Sequence, residues 1–184
     1  MVNFKEDEQL KTLNHSCAHL MAQAIKHLYP QAKFWVGPVV AEGFYYDVDL
    51  GDDVIRGEED LAAIEKEMKK IIKKGDRLER YTLSKDEAIK LMTERDEPYK
   101  VEMIKEHPDT DELSFYQQGD FIEFCAGPHL MSTKPIKAFK LTSSSGAYWR
   151  GDEHNKMLTR IYGTAYTKKA DLEEYLEYLA GIKI

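Results

Sequence analysis

Helical and strand-like patterns interleave along this chain without a regular β–α–β rhythm, and this order limits the architectures open to it. Apolar residues at helical spacing, or a capping box, predict four helices: Leu13–Leu28, Glu58–Lys74, Ser84–Arg95 and Asp171–Leu179. Short aromatic and β-branched runs predict strands within 33–50 and within Tyr99–Tyr166. The irregular alternation favours the α+β class, with an antiparallel sheet packed against helices.

The length of 184 residues suits one sizeable domain, and no repeat or Pro/Gly/Ser-rich linker divides the chain. We therefore predict an N-terminal lead-in over 1–11 and a single domain over 12–184. The two cysteines, Cys17 and Cys125, provide no disulfide framework, so a reducing cytoplasm is the expected compartment. No apolar run approaches the roughly 18 residues that a transmembrane helix needs, so no membrane partner is predicted.

The charge distribution bears on nucleic-acid binding. A formal net charge of −7 argues against a strong, non-specific binder but leaves room for a domain that handles one RNA end. The lysine-rich run between 66 and 80 could follow phosphates, but interleaved acidic residues indicate a solvated helix face with i,i+4 ion pairs. In the segment GAYWRGD (146–152), Trp149 and Arg150 could contact RNA, but aromatic residues between turn glycines favour packing at a core edge.

Two histidines four residues apart, His15 and His19, share one face of the first predicted helix. At 100° per residue this face is opposite the apolar stripe that includes Cys17 and Ala24. The two imidazoles are therefore predicted to point to solvent or to a cleft, and Cys17 to lie in the core. Two surface histidines on a polar helix face are the simpler alternative.

A second pair, Cys125 and His129, follows Glu123, and the Gly-Pro between its members predicts a turn that brings the two side chains together. The alternative is a buried structural cysteine beside a loop histidine. Both pairs occur in a chain with only six histidines and two cysteines, and this coincidence favours a site. Three imidazoles and one thiol suit zinc, and they equally suit acid–base chemistry beside a bound ester, so the residues alone leave both open.

Four segments carry a family resemblance: HSCAH (15–19), VGPVVAEGFYYDVD (36–49), CAGPH (125–129) and GAYWRGDEHNKMLTRIYGTAY (146–166). Together they closely resemble the editing domain of bacterial-type threonyl-tRNA synthetases. The two histidine-containing motifs are shared with alanyl-tRNA editing domains, whereas the last segment is similar to the threonyl branch. The resemblance implies the α+β fold common to threonyl- and alanyl-tRNA synthetase editing domains.

The resemblance also implies an activity, the hydrolysis of seryl-tRNA mischarged on the threonine tRNA. The implied partners are the 3′ acceptor end of tRNA(Thr) carrying serine and, if the chain is an excised domain rather than a freestanding relative, the remainder of threonyl-tRNA synthetase. No class II catalytic motifs follow Tyr166, so the chain is expected neither to bind ATP nor to charge tRNA by itself. Editing is needed because a methyl group gives a binding pocket only about 1–3 kcal/mol of discrimination between threonine and serine.

The family's cleft signature falls on His15, His19, Cys125 and His129. Lys100 matches a family lysine that positions water or the ester oxygen, and Tyr46 matches a cleft tyrosine. Glu123 stands where the family often has aspartate, and a carboxylate there suits the seryl ammonium group. The longer glutamate side chain alters the placement of this charge.

The implied mechanism has a water molecule, held by His15 and Lys100, attack the ester carbonyl, while His19, Cys125 and His129 shape a serine-sized pocket. No obligatory cofactor is implied, but the alanyl-type relatives resemble zinc proteins at the four signature positions, so zinc there stays open. Two other functions also stay open: a non-catalytic module that binds zinc or the tRNA acceptor end, and an alanyl-type tRNA deacylase. The intact signature residues and Lys100 count against the first, and the GAYWRGD segment counts against the second.

Overall fold

The computed structural model describes residues 3–110, 112–125, 130 and 132–181. Its helices are α1 (Glu8–Leu28), α2 (Glu58–Lys74), α3 (Lys85–Glu94), α4 (Pro98–Lys105) and α5 (Lys169–Leu179). Its strands are β1 (Lys33–Phe34), β2 (Val39–Val40), β3 (Gly43–Asp49), β4 (Glu79–Ser84), β5 (Glu112–Gln118), β6 (Phe121–Phe124), β7 (Ala138–Tyr148) and β8 (Met157–Tyr166). Among these helices, none is long and apolar enough to cross a membrane.

The named strands form two antiparallel sheets. The larger sheet has the order β1-β3-β8-β7, and β2 also pairs with β3. Tyr46 on β3 lies opposite Ile161 on β8. On its other side, β8 pairs with β7 in a long antiparallel hairpin, which contains a register shift between Leu141 and Ser143 of β7. The smaller sheet has the order β4-β5-β6. Helices packed with antiparallel sheets confirm the predicted α+β class.

Helix α1 is the central element of the main core. Its predicted apolar stripe is buried against the larger sheet and α2 except at the exposed Leu28, and Cys17 is fully buried there, as predicted. The helix begins at Glu8, five residues before the predicted start, with the Asp7 side chain accepting from the Leu10 backbone N–H. The pattern missed this first turn because its residues are mostly polar. Part of the predicted lead-in is therefore helical, while the division of the chain into domains stays a prediction.

A second, smaller core lies between the smaller sheet and helices α3 and α4. It is formed by Ala88, Met92, Ile104, Leu113 and Phe115. The capping box at the start of α3 is present as predicted, since the Ser84 and Glu87 side chains each bond the other's backbone N–H. Helix α4 corrects the expectation of strands and loops after Tyr99. It has only eight residues and Pro98 in its first turn, so it left little periodicity in the sequence.

Candidate active site

One cavity of about 420 Å³ collects most of the residues that the sequence singled out. It opens between the two cores, where α1, α4, the 36–38 segment and the smaller sheet meet. Its polar walls include His15, His19, Lys100, Glu123 and Cys125. Its apolar walls include Val36, Pro38, Met103, Leu113 and Phe124. The cavity therefore places titratable groups beside an apolar surface, which is typical of a small-molecule or catalytic site.

The position of the two histidines depends on how α1 is held. Asn14, fully buried next to His15, donates from its side chain to the Ala165 carbonyl oxygen at 2.9 Å and accepts from the Ala165 N–H at 3.0 Å. These two bonds join α1 to β8. On the opposite side of α1, the Leu130 N–H donates to the Ser16 hydroxyl oxygen at 2.9 Å. The turn that carries His15 is thus fixed from both sides.

His15, His19 and Cys125 form one cluster. The His15 and His19 rings meet edge to face, with centroids 4.7 Å apart, and His15 Nε2 lies 2.8 Å from Cys125 Sγ. Burial lowers the pKa of His15 to about 4, with further lowering by the positive charges of Lys100 and Lys11. His15 is therefore a neutral imidazole near pH 7, and a neutral imidazole can accept a proton.

Lys100, Tyr46 and Glu123 form a buried network beside that cluster. Lys100 Nζ lies 2.5 Å from Glu123 Oε1 and donates to the Tyr46 hydroxyl oxygen at 2.9 Å. The Tyr46 hydroxyl in turn donates to the Glu123 carboxylate, 2.8 and 2.9 Å from its two oxygens. An ammonium has three N–H donors, so these contacts leave one for an oxygen atom in the cavity.

The network shapes the protonation of its neighbours. Burial and the adjacent Glu123 carboxylate raise the pKa of Tyr46 well above its usual range, so the phenol stays neutral. Glu97, the residue before α4, accepts from the Phe34 backbone N–H at 2.9 Å, and burial raises its pKa to about 7. The lowering effects of that hydrogen bond and of Lys100 are smaller than the effect of burial.

The cluster has the donor types of a zinc site, but two of its donor atoms lie closer together than zinc ligands do. One ligand atom from each of His15, His19 and Cys125 lies within 4.8 Å of the others. In a tetrahedral zinc site, bond lengths near 2.1 and 2.3 Å place nitrogen and sulfur about 3.5 Å apart. The 2.8 Å separation of His15 Nε2 and Cys125 Sγ is instead that of a direct hydrogen bond. Zinc would require these two side chains to separate.

Five of the seven predicted site residues line the cavity: His15, His19, Lys100, Glu123 and Cys125. Tyr46 is fully buried behind this wall, where it holds Lys100 and Glu123 rather than lining the cavity. His129 lies outside the described residues. The alternative of two surface histidines is wrong, because His19 is buried and His15 is half-buried in the cavity wall.

Sequence reasoning gave no role to His107, which also lines the cavity. Its ring packs edge to face on Phe124, with centroids 5.6 Å apart. The signal was the spacing Lys100, Met103, His107, which places residues on one side of a helix and its extension. Without a predicted helix over 98–105, this spacing has no meaning in the sequence alone.

The GAYWRGD segment packs against other aromatic residues through Trp149, as the sequence favoured. It also contacts α4, the helix that carries Lys100. Trp149 contacts Tyr99 and Trp35 edge to face, with centroids 5.3 and 6.3 Å apart. Arg150 lies over the Trp149 ring and pairs with Glu106, the residue that follows α4. The tip of the β7–β8 hairpin thus braces α4.

Comparison with known proteins agrees with this architecture. Residues 113–162 match the family described as "Threonyl and Alanyl tRNA synthetase second additional domain". The threonine–tRNA ligases of Acetivibrio thermocellus and Clostridium tetani are each 53% identical over 183 residues, which is 100% of this chain and 28% of each ligase. The ligase of Caldanaerobacter subterraneus is 51% identical over the same lengths.

The alignment with each ligase covers the whole of this chain, and this chain spans about 28% of the length of these curated relatives. The family match covers β5, β6 and most of the β7–β8 hairpin, which include the strand with Glu123 and the hairpin that braces α4. Residues 113–162 therefore belong to the threonyl- and alanyl-tRNA synthetase second additional domain family, within a chain that is similar over its whole length to part of threonine–tRNA ligases.

Proposed function

We propose that this chain hydrolyses the ester that joins a mischarged serine to the terminal ribose of tRNA(Thr), acting in the cytoplasm as the editing domain of a threonine–tRNA ligase. One observation carries the proposal: the His15–Cys125 pair and the buried Lys100–Glu123 pair face a single cavity of about 420 Å³. An uncharged imidazole can act as the general base for an attacking water, and a fixed ammonium beside it can stabilise the oxyanion that forms during ester hydrolysis.

In the proposed reaction His15 accepts a proton as water attacks the ester carbonyl carbon. The remaining N–H of Lys100 donates to the carbonyl oxygen, which becomes an oxyanion in the tetrahedral intermediate. The bond from the carbonyl carbon to the ribose oxygen then breaks, and His15 returns its proton to that oxygen. The products are serine and a free ribose hydroxyl, so atoms and charges balance. No step passes through a metal ion.

Substrate orientation would rest on Glu123. A carboxylate can accept about four hydrogen bonds, so the contacts from Tyr46 and Lys100 leave capacity for the seryl ammonium group. We expect His19 and Cys125, with His129 added from the family resemblance, to bound the space for the serine side chain. The extra methyl of threonine would collide with this wall, which is how a second pocket adds selectivity to the synthetic site.

The first experiment measures deacylation of seryl-tRNA(Thr), threonyl-tRNA(Thr) and seryl-tRNA(Ala), each with and without a zinc chelator. We expect rapid loss of serine, retention of threonine and no effect of the chelator. Loss of activity with the chelator would indicate that the cluster of His15, His19 and Cys125 binds a metal ion. Faster hydrolysis of seryl-tRNA(Ala) than of seryl-tRNA(Thr) would identify an alanyl-type deacylase. No hydrolysis of any substrate would favour the non-catalytic binding module.

Site variants test the assignment of roles. His15→Ala and Lys100→Ala should abolish deacylation, whereas the exposed His154→Ala and Lys90→Ala serve as matched controls and should leave it unchanged. Because Lys100→Ala leaves the Glu123 charge buried, circular dichroism and an unfolding transition of each variant are needed to separate loss of chemistry from loss of folding. Near-full activity in folded His15→Ala and Lys100→Ala protein would refute the mechanism.

A further inference from the structure

The exposed side of α2 carries four lysines that the proposed reaction does not use. Lys66, Lys69, Lys70 and Lys73 recur at i, i+3, i+4 and i+7, and we refer to them as the lysine face. All four are exposed, and at 100° per residue they lie opposite the buried Ile64 and Met68 of the same helix. They span about 10 Å along the helix axis.

The acidic residues next to these lysines in the sequence do not neutralise them. Glu65 pairs with Lys140 on β7 at 3.0 Å, and Glu67 pairs with His27 on α1 at 2.9 Å. Over the described ranges, with their gaps at 111, 126–129 and 131, no ion pair reaches any lysine of the face. The i,i+4 pairing expected from the sequence is therefore wrong for this stretch.

Helix stability explains only part of the pattern. Basic residues in the last turn interact favourably with the negative end of the helix dipole, and this accounts for Lys73 and Lys74. Lys66, Lys69 and Lys70 stand before the last turn, where that effect has faded. A positive face without counter-charges, on a chain with a net charge of −7, is instead the electrostatic signature of a surface that meets polyanions.

The basic surface continues toward the cavity. After Gly75 ends α2, Arg77 forms an isolated bridge with Ser132, and the Lys134 side chain covers Gly75, with its Cε 2.9 Å from the position of a Cβ there. Two residues before Ser132, Leu130 bonds to Ser16, the neighbour of His15. Arg77 and Lys134 thus extend the basic surface beyond the end of α2, and Leu130, two residues before Ser132 in the sequence, contacts the turn that carries the cavity histidine.

We propose that the lysine face, extended by Arg77 and Lys134, binds the phosphate backbone of the double-stranded stem of the RNA whose 3′ end enters the cavity. This rests on the proposed function, which makes the substrate an aminoacyl-RNA. The lysine face contains no aromatic side chain on which bases could stack, so it suits a duplex backbone rather than a single strand. An RNA duplex is A-form and exposes the phosphates of both strands along its backbone, so a face about 10 Å long could reach several of them.

The test compares two triple variants with the same change in charge. Lys66→Gln/Lys70→Gln/Lys73→Gln removes part of the face, and Lys90→Gln/Lys168→Gln/Lys169→Gln removes three exposed lysines elsewhere. Binding of uncharged tRNA(Thr) is measured between about 50 and 200 mM salt. The slope of log K against log salt should become shallower by about 2 to 3 for the face variant and stay unchanged for the control. Equal changes in both variants would overturn the proposal.

A second measurement separates this proposal from the proposed function. The face variant should lose about tenfold or more in kcat/KM on seryl-tRNA(Thr) but hydrolyse the seryl ester of adenosine, which has no stem, at the parent rate. An equal loss on both esters would overturn the proposal. If the parent protein hydrolyses neither ester, the proposed function fails, and the salt titration still decides the role of the lysine face. Retained RNA binding with lost binding to phosphatidylserine vesicles would assign the face to a membrane and overturn the proposal.

Discussion

Lys100 Nζ lies 2.5 Å from Glu123 Oε1, and both side chains are nearly inaccessible, with exposed fractions of 5% and 3%. Removing two charges from water is unfavourable, and the attraction between them compensates only when the remaining donors and acceptors are also satisfied. Tyr46 provides that compensation by bonding to both partners. The ion pair therefore fixes a positive charge at the cavity wall rather than contributing much net stability.

This arrangement predicts strong non-additivity in stability. Lys100→Met should destabilise the protein by about 3–5 kcal/mol, because it leaves the Glu123 charge buried without a partner. The double variant Lys100→Met/Glu123→Leu should recover most of that loss. Chemical denaturation monitored by circular dichroism measures both. A double variant that loses the sum of the two single losses would show that the pair is not coupled.

Glu97 predicts a pH-dependent difference in stability. Its folded-state pKa of about 7 exceeds the ordinary value of 4.5, so folding favours the protonated form, and ionisation weakens the fold as the pH rises from about 4.5 to 7. Glu97→Gln is neutral throughout and still offers an oxygen to the Phe34 N–H. The variant should match the parent near pH 4.5 and exceed it by about 3 kcal/mol above pH 7.

The control for this prediction is Glu94→Gln, which removes an exposed carboxylate on the neighbouring helix α3. Its effect on the free energy of unfolding should be small and nearly independent of pH. A flat difference between Glu97→Gln and the parent over the same range would contradict the assignment of a raised pKa to Glu97. Urea denaturation curves at several pH values provide the measurement.

Asn14 predicts a link between stability and His15. Asn14→Ala removes three hydrogen bonds and leaves the backbone of Ala165 without its side-chain partner, so we expect a loss of about 2–4 kcal/mol. Because His15 is the next residue, deacylation should also fall. Thr93→Ala removes one exposed hydrogen bond within α3 and should change stability by about 0.5 kcal/mol or less. An Asn14→Ala protein with parental stability and activity would contradict this linkage.

The sequence predicted the parts of the site that share a local period. His15 and His19 are four residues apart on a helix, so their common direction followed from helix geometry alone. The buried network did not follow, because Tyr46, Lys100 and Glu123 come from β3, α4 and β6, which only tertiary packing brings together. Their assignment came from the family resemblance.

Helix α4 shows a second limit of prediction from the sequence, because a short helix leaves little periodic pattern. An eight-residue helix has about two turns and owes its stability to burial of Tyr99 and Ile104 rather than to its own pattern. Without it, His107 could not be placed on the side that carries Lys100. The same limit applies to the lysine face, because only the structure shows that Glu65 and Glu67 pair with residues outside α2.

A side chain added at Gly37 should disturb the network of Tyr46, Lys100 and Glu123 through a steric clash. Gly37 lines the cavity, and a Cβ at this position would lie 2.4 Å from the Tyr46 ring, which is fully buried and cannot give way. Gly37→Ala should therefore displace Tyr46, weaken its bonds to Lys100 and Glu123, destabilise the protein by about 1–3 kcal/mol and lower the deacylation rate. Gly146→Ala is the matched control, because its Cβ would meet the exposed and flexible Met157 side chain, which can move aside. Similar losses of stability and activity in the two variants would show that the fit between Gly37 and Tyr46 does not hold the network in place.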